Sequence, residues 1–378
     1  MIDRRRFLAA SAALGTSLPV AAAFARGAHA DTVGGTARGA MADAATEFMA
    51  RYDIPGLSVA IARRGQLIYE EAFGLADREA QTPLTTRHRF RVASISKPIT
   101  SAAIFSLIED GKLTLGQFVF GPVGILGESY GRFPEDAPQR AITIEHLLTH
   151  AAGGWPNDKT DPMFKYPGLD HARLIAATLR DRPLERPPGT AFSYSNFGYC
   201  LLGRVIEKVA AQPYARFVVE QVLLPADATD VSIAGNTRAE RQQDEVVYYK
   251  GAKDDPYALD VRRMDSHGGW IARPSAIAKF ASAAHGLSKM SLLRPDTITA
   301  MTAPSSVSAS YAKGWRISRG GNLWHSGHLP GTTGLMVRTS GDVCWVGLMN
   351  TRFRNRELDR DLDRLMATMV WHAQARRT

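Results

Sequence analysis

Only two cysteines, Cys200 and Cys344, occur in the 378 residues. They fall far apart in different predicted elements, which excludes a disulfide framework and predicts two buried thiols. After the N-terminal segment, no stretch has the length and apolarity of a membrane-spanning helix. Basic blocks are missing too, outside residues 4–6. Removing the four arginines and one aspartate of residues 1–30 from 46 basic and 37 acidic residues leaves 42 and 36, a net charge of +6. So mild an excess, spread along the chain, excludes a nucleic-acid-binding stripe. There is no Walker motif. Gly121-Pro122-Val123-Gly124-Ile125-Leu126-Gly127 is glycine-rich, but its spacing is that of a loop and not of a dinucleotide fingerprint. With 45% hydrophobic residues and no internal repeat, the rest reads as ordinary globular sequence with ample core.

The N-terminus runs Asp3-Arg4-Arg5-Arg6-Phe7-Leu8, then apolar to Phe24, then Ala28-His29-Ala30. A basic start, a short apolar region and a small-x-small site predict a secretory signal over residues 1–30. Paired arginines ahead of Phe-Leu point to the twin-arginine route, with cleavage after Ala30. Gly15, Ser17 and Pro19 interrupt the apolar run, which is short for a membrane span. The expectation is an exported, periplasmic protein with no stable membrane insertion after cleavage. Twin-arginine export moves folded chains, which suits two unpaired thiols.

Apolar spacing predicts an amphipathic helix over 38–51, then strands over 57–62 and 67–69 joined by the turn Arg63-Arg64-Gly65-Gln66. Residues 77–88 are polar loop. Helices are expected at 144–148, 170–180, 197–211 and 213–222. From residue 311 the pattern changes to short strand-like runs, 311–317, 322–325, 333–338 and 343–349, closed by a helix over 355–373. Strands at both ends with helices between predict an α+β fold: an antiparallel sheet built from both termini and flanked by helices, with an inserted, mainly helical subdomain. The boundaries are 31–93 plus 265–378 for the sheet subdomain and 94–264 for the helical one.

Ser94-Ile95-Ser96-Lys97 stands where the extended run His88–Val92 gives way to a helix apolar all round, from Ile99 to Ile108. Pro98 is tolerated in the first turn of such a helix. Residues three apart share a helix face, so Lys97 can reach back to Ser94. A serine hydroxyl becomes a nucleophile when a base takes its proton, and a neighbouring amine can do so. The helix N-terminus adds free N–H groups that favour negative charge on oxygen. A second copy, Ser310-Tyr311-Ala312-Lys313, opens no helix and reads as accidental. His146 and His150 have a zinc-compatible spacing, but a third ligand and the glutamate of a His-Glu-x-x-His motif are missing, so no metal is expected. Trp155, Trp270, Trp315 and Trp324 read as packing residues.

Two further motifs follow in order: Tyr194-Ser195-Asn196 before a helix, and His325-Ser326-Gly327 on a strand. With Ser94 and Lys97 they resemble the serine beta-lactamase and penicillin-binding-protein superfamily in its class C-like branch, over about residues 40–370. Ile142-Thr143-Ile144-Glu145-His146-Leu147-Leu148-Thr149-His150 and Pro188-Gly189-Thr190 resemble that family's approach to its Tyr motif. The resemblance implies acyl transfer without a cofactor. Ser94 would form an acyl-enzyme, and Lys97 and Tyr194 would shuttle its proton, each with its pKa brought down by the other. Asn196 would bind the substrate's amide side chain or Lys97. His325, Ser326 and Gly327 would border the substrate. The backbone amides of Ser94 and His328 would hold the oxyanion. His325 stands where many beta-lactamases carry lysine, and an unperturbed histidine is mostly neutral at pH 7. The expectation is a serine hydrolase of small-molecule or peptide substrates, an esterase or D-amino-acid peptidase. The alternatives are a true beta-lactamase and a penicillin sensor that is acylated without turnover.

Overall fold

Arg64 (φ 50°) and Gly65 (φ 74°) close the turn between strands β1 (Gly56–Arg63) and β2 (Gln66–Asp77). Positive φ at both central residues gives the turn whose twist matches that of the strands it joins. The computed structural model describes residues 33–250, 255–352 and 356–374; the expected signal over 1–30 and its cleavage site lie outside them.

Strands β3 (Thr82–Pro83), β4 (Arg316–Ile317), β5 (Leu323–Leu329), β6 (Thr332–Arg338) and β7 (Val343–Met349) complete a seven-stranded sheet ordered β3-β2-β1-β7-β6-β5-β4. Neighbouring strands are antiparallel throughout. N-terminal and C-terminal segments therefore meet at the β1–β7 pair, as the sequence pattern predicts. Alternation along β1 sends Leu57, Val59 and Ile61 to one face, where they join helices α1 (Gly35–Arg51) and α7 (Arg356–Gln374) through Met41, Phe48, Leu362 and Met366. Ala60 and Ala62 face the other way into the larger core. Their small side chains belong to the same cluster as Ile277 and Ala281 of α6 (Pro274–Ala284).

That larger core also holds α2 (Ser96–Glu109), α3 (Ile144–Leu148), α4 (His171–Asp181) and α5 (Asn196–Ala210). Every α2 residue from Ser96 to Phe105 is buried, as its all-round apolarity requires. Where a strand is expected over 311–317, only Arg316–Ile317 pairs with β5. The segment before it leaves the sheet to pack on α2. Gly314 has φ 88°, and a Cβ there would lie 2.7 Å from that of Ser101. Ser101 Oγ donates to the Lys313 carbonyl at 2.6 Å. The helix expected over 213–222 is shorter, Tyr214–Val218, and runs on as a π turn over Val219–Leu223.

Candidate active site

Ser94 is set by the chain on both sides of it. Phe90–Arg91 pairs with Ile271–Ala272, and the Val92 N–H donates to the Trp270 carbonyl at 2.9 Å. Ala93 then turns with φ 48°, a sparsely populated conformation for a residue with a Cβ, and opens a single 3₁₀ turn, Ala93–Ile95, ahead of α2. Ala93 and Ile95 are buried while Ser94 is half-buried. The turn thus lifts one hydroxyl out of an apolar surround at the mouth of a buried helix.

One helical turn on, Lys97 is fully buried. Its Nζ lies 3.1 Å from Ser94 Oγ, 2.7 Å from Asn196 Oδ1 and 3.0 Å from the His267 carbonyl. Burial drives its pKa well below the ordinary lysine value; Asp161 pulls the other way and Arg316 adds to the depression. Asn196 is itself oriented, since its Nδ2 donates to Asp161 Oδ2 at 2.8 Å. Burial raises the Asp161 carboxyl to about 6, against bonds from the Met163 amide and Asn196 and the charge of Lys97.

Ser195 caps α5, its Oγ accepting from the Gly198 N–H at 3.1 Å, which fixes where Tyr194 leaves the loop and Asn196 enters the helix. The Tyr194 carbonyl accepts from the Asn157 amide at 2.8 Å. Its ring centre lies 4.8 Å from Lys97 Nζ and 4.2 Å from that of His150, and its hydroxyl faces Ser94. Ser94, Lys97, Tyr194 and Asn196 therefore meet at one point. The expected fall of both pKa values is not found. Burial pushes the Tyr194 phenol above its ordinary value, although Ser94 and Arg316 act downward. In the pair, only Lys97 is brought down.

Gly327 brings β5 to this point. A Cβ on it would overlap the Val92 carbonyl oxygen and sit 3.3 Å from that of Ala93. Side-chain alternation puts buried His325 and Gly327 on the Ser94 side of β5. Ser326 and His328 point to the opposite face. There they line a cavity of about 510 Å³ with Trp324, Leu335 and Asp359, and His328 Nε2 lies 3.0 Å from Asp359 Oδ1. Pro330-Gly331 is a two-residue turn, so Leu329 and Thr332 form a hydrogen-bonded pair and His328 and Thr333 do not. The His328 N–H is thereby directed away from β6, toward the strand edge, where β4 pairs only with Leu323 and Trp324.

Three residues of the site escape sequence reasoning. Asp161 caps a short helix, Pro162–Lys165, and nothing local ties it to Asn196, 35 positions on. Arg316 looks like one more residue in an alternating run. Its guanidinium carbon lies 5.7 Å from the Tyr194 ring centre, 5.9 Å from that of Tyr311 and 5.3 Å from that of Trp324. Tyr311 comes from the second Ser-x-x-Lys copy, whose Lys313 is buried 3.4 Å from Glu145. His146, half of the zinc-compatible pair, is used locally. The Thr143 amide donates to its Nδ1 at 3.3 Å, and Gly189 packs close against its Nε2. That contact joins the two flanking segments on which the resemblance rests.

A Beta-lactamase family model matches residues 41–368. Among curated relatives, esterase EstB of Burkholderia gladioli is 30% identical over 210 residues, 52% of this chain and 50% of the esterase. Penicillin-binding protein 4* of Bacillus subtilis (strain 168) is 28% identical over 204 residues, 50% of this chain and 41% of that protein. The matched region thus spans half or less of these relatives. Two solved structures agree in fold along nearly their whole length. D-amino acid amidase from Ochrobactrum anthropi SV3 has a TM-score of 0.72 at 20% identity, covering 89% of this chain and 99% of the amidase. EstCE1, a hydrolase with promiscuous acyltransferase activity, has 0.71 at 22%, covering 88% and 98%.

Proposed function

The chain belongs to the beta-lactamase family, and on that premise we propose that it is an exported serine hydrolase that cleaves ester or amide bonds, D-amino-acid derivatives included, through an acyl-enzyme on Ser94. The observation that carries this reading is the surroundings of Lys97. Two of its three partners, Asn196 Oδ1 and the His267 carbonyl, can only accept. A neutral amine spends its two hydrogens on them and keeps its lone pair for the third partner, Ser94 Oγ. Burial favours that neutral form. Lys97 is therefore the base that takes the Ser94 proton as the hydroxyl attacks the carbonyl carbon. Tyr194, its phenol kept protonated, passes a proton on to the leaving group and regains one from Lys97. The oxyanion is held by the Ser94 and His328 amides. Losing one such donor typically costs about 10²–10³ in rate.

His325 is buried and its pKa lies well below the ordinary histidine value, by burial first and then by Lys97 and Arg316. It therefore lacks the permanent charge that a lysine would give a beta-lactam carboxylate, which favours esters and D-amino-acid amides over beta-lactams. Export is inferred from the arginine-led segment over residues 1–30 and the small-x-small site Ala28-His29-Ala30.

Incubation with p-nitrophenyl esters, D-alanyl amides and a chromogenic cephalosporin, wild type beside Ser94→Ala, tests the assignment. Repeated turnover of an ester or amide, abolished in Ser94→Ala, is the expected result. Full turnover in Ser94→Ala rejects it, and stable acylation by a penicillin without release identifies a sensor instead.

A further inference from the structure

Given the hydrolase reading above, we infer that His150 and Tyr311 are positioning residues of this site, links in one directional hydrogen-bond chain that holds His325 as an uncharged ring of fixed tautomer. The chain starts at the Ser195 N–H, 3.1 Å from His150 Nδ1. A backbone N–H only donates, so Nδ1 offers its lone pair and the proton of a neutral His150 sits on Nε2. That Nε2 lies 2.9 Å from the Tyr311 hydroxyl, which accepts it. At the far end, His325 Nδ1 lies 2.7 Å from the Ser326 carbonyl. A carbonyl only accepts, so Nδ1 carries the proton and Nε2 offers its lone pair. The Tyr311 hydroxyl, 3.4 Å away, faces that lone pair with its hydrogen. Tyr199, also beside Tyr311, has its own hydrogen committed to the Leu148 carbonyl at 2.9 Å. Every link runs in the same sense, and the two imidazoles are opposite tautomers.

A proton added to His150 would set N–H against the Ser195 N–H. A proton on His325 would meet Lys97 from α2, Arg316 from β4 and His328 on its own strand, with Tyr194, Tyr311 and His150 completing its surroundings. Both rings accordingly have pKa values well below the ordinary histidine value, burial being the largest cause. The same chain holds the His150 ring 4.2 Å from that of Tyr194, so it positions the phenol as well. The consequence for substrate is that β5 presents a neutral wall beside Ser94, with Arg316 as the permanent cation next to it.

Long-range proton–nitrogen NMR of the full chain with isotope-labelled histidine reads this directly, with rings assigned through His150→Gln and His325→Gln. The expected spectrum shows His150 protonated on Nε2 and His325 on Nδ1, neither titrating between about pH 5 and 8. A midpoint for either ring inside that range, or the same tautomer in both, overturns the inference. Tyr311→Phe keeps the ring and removes the link. His325 should then begin to titrate in the same spectrum, its Nε2 lone pair no longer engaged by the Tyr311 hydroxyl. A folded Tyr311→Phe in which His325 still does not titrate also overturns it. If Tyr311→Phe fails to fold, the wild-type tautomers still decide. Because they are read without turnover, they separate this inference from the hydrolase reading, which stands or falls with Ser94→Ala.

Discussion

Asp161 decides which end of the Asn196 amide Lys97 meets: its carboxylate takes the Nδ2 at 2.8 Å, leaving Oδ1 for the lysine at 2.7 Å. These three residues come from three separate segments, and the orientation of the middle one follows from the charge of the first.

Asp161→Asn should therefore shift the pH profile. The carboxylate raises the Lys97 pKa, so its removal lowers that pKa further and moves the acid limb of kcat/KM to lower pH. Stability changes too. The folded carboxyl, at about 6, holds its proton better than the unfolded one at 3.8. The contribution of Asp161 to wild-type stability thus declines as pH rises through that window. The difference in Tm, variant minus wild type, should be more positive at pH 7.5 than at pH 4. Thermal melts at the two pH values check the sign.

Arg316→Ala should move the same limb the opposite way. Arg316 depresses the Lys97 pKa, so its loss raises that pKa and the pH at which activity sets in. KM should rise about tenfold for substrates with a carboxylate, the scale of one charge-assisted hydrogen bond, and stay level for neutral esters. Equal KM changes for both substrate types would count against an anion-facing role.

Gly327→Ala should separate β5 from the serine turn, because its Cβ would overlap the Val92 carbonyl oxygen. If the strand yields, the His328 N–H moves with it, and turnover should fall by about 10²–10³ together with Tm. Gly341→Ala is the control: its Cβ would meet only Thr339 Oγ1, at 3.8 Å. Measured side by side, only the first should be impaired.

Cys200 and Cys344 should resist alkylation in the folded protein. Both are fully buried, and burial raises their thiols to about 12 and about 11. Thiol titration with a chromogenic disulfide should find no fast-reacting group at pH 8 until denaturant is added.

The helical and strand periodicities were legible because burial on one face imposes them locally. The apolar α2, the Arg64-Gly65 turn and the run 343–349 all fold as their patterns predict. Less legible was 311–317. Its alternation suits a strand, yet Gly314 and Ser101 draw most of it onto α2, a contact between residues more than two hundred positions apart. Ser94 and Lys97 are legible in a tetrapeptide that opens an apolar helix, whereas Tyr194 and Asn196 are named through the resemblance of the three ordered motifs to the beta-lactamase family.

By itself, the sequence determined the α+β architecture and which hydroxyl, amine, phenol and amide stand at element ends, since hydrophobic period and capping chemistry act over a few residues. Tertiary structure alone decided that Lys97 is the depressed base while Tyr194 is raised, that Ser326 faces away from Ser94, and that Asp161, Arg316 and Tyr311 belong to the site. Desolvation and charge depend on what surrounds a group in space, and those neighbours arrive from distant parts of the chain.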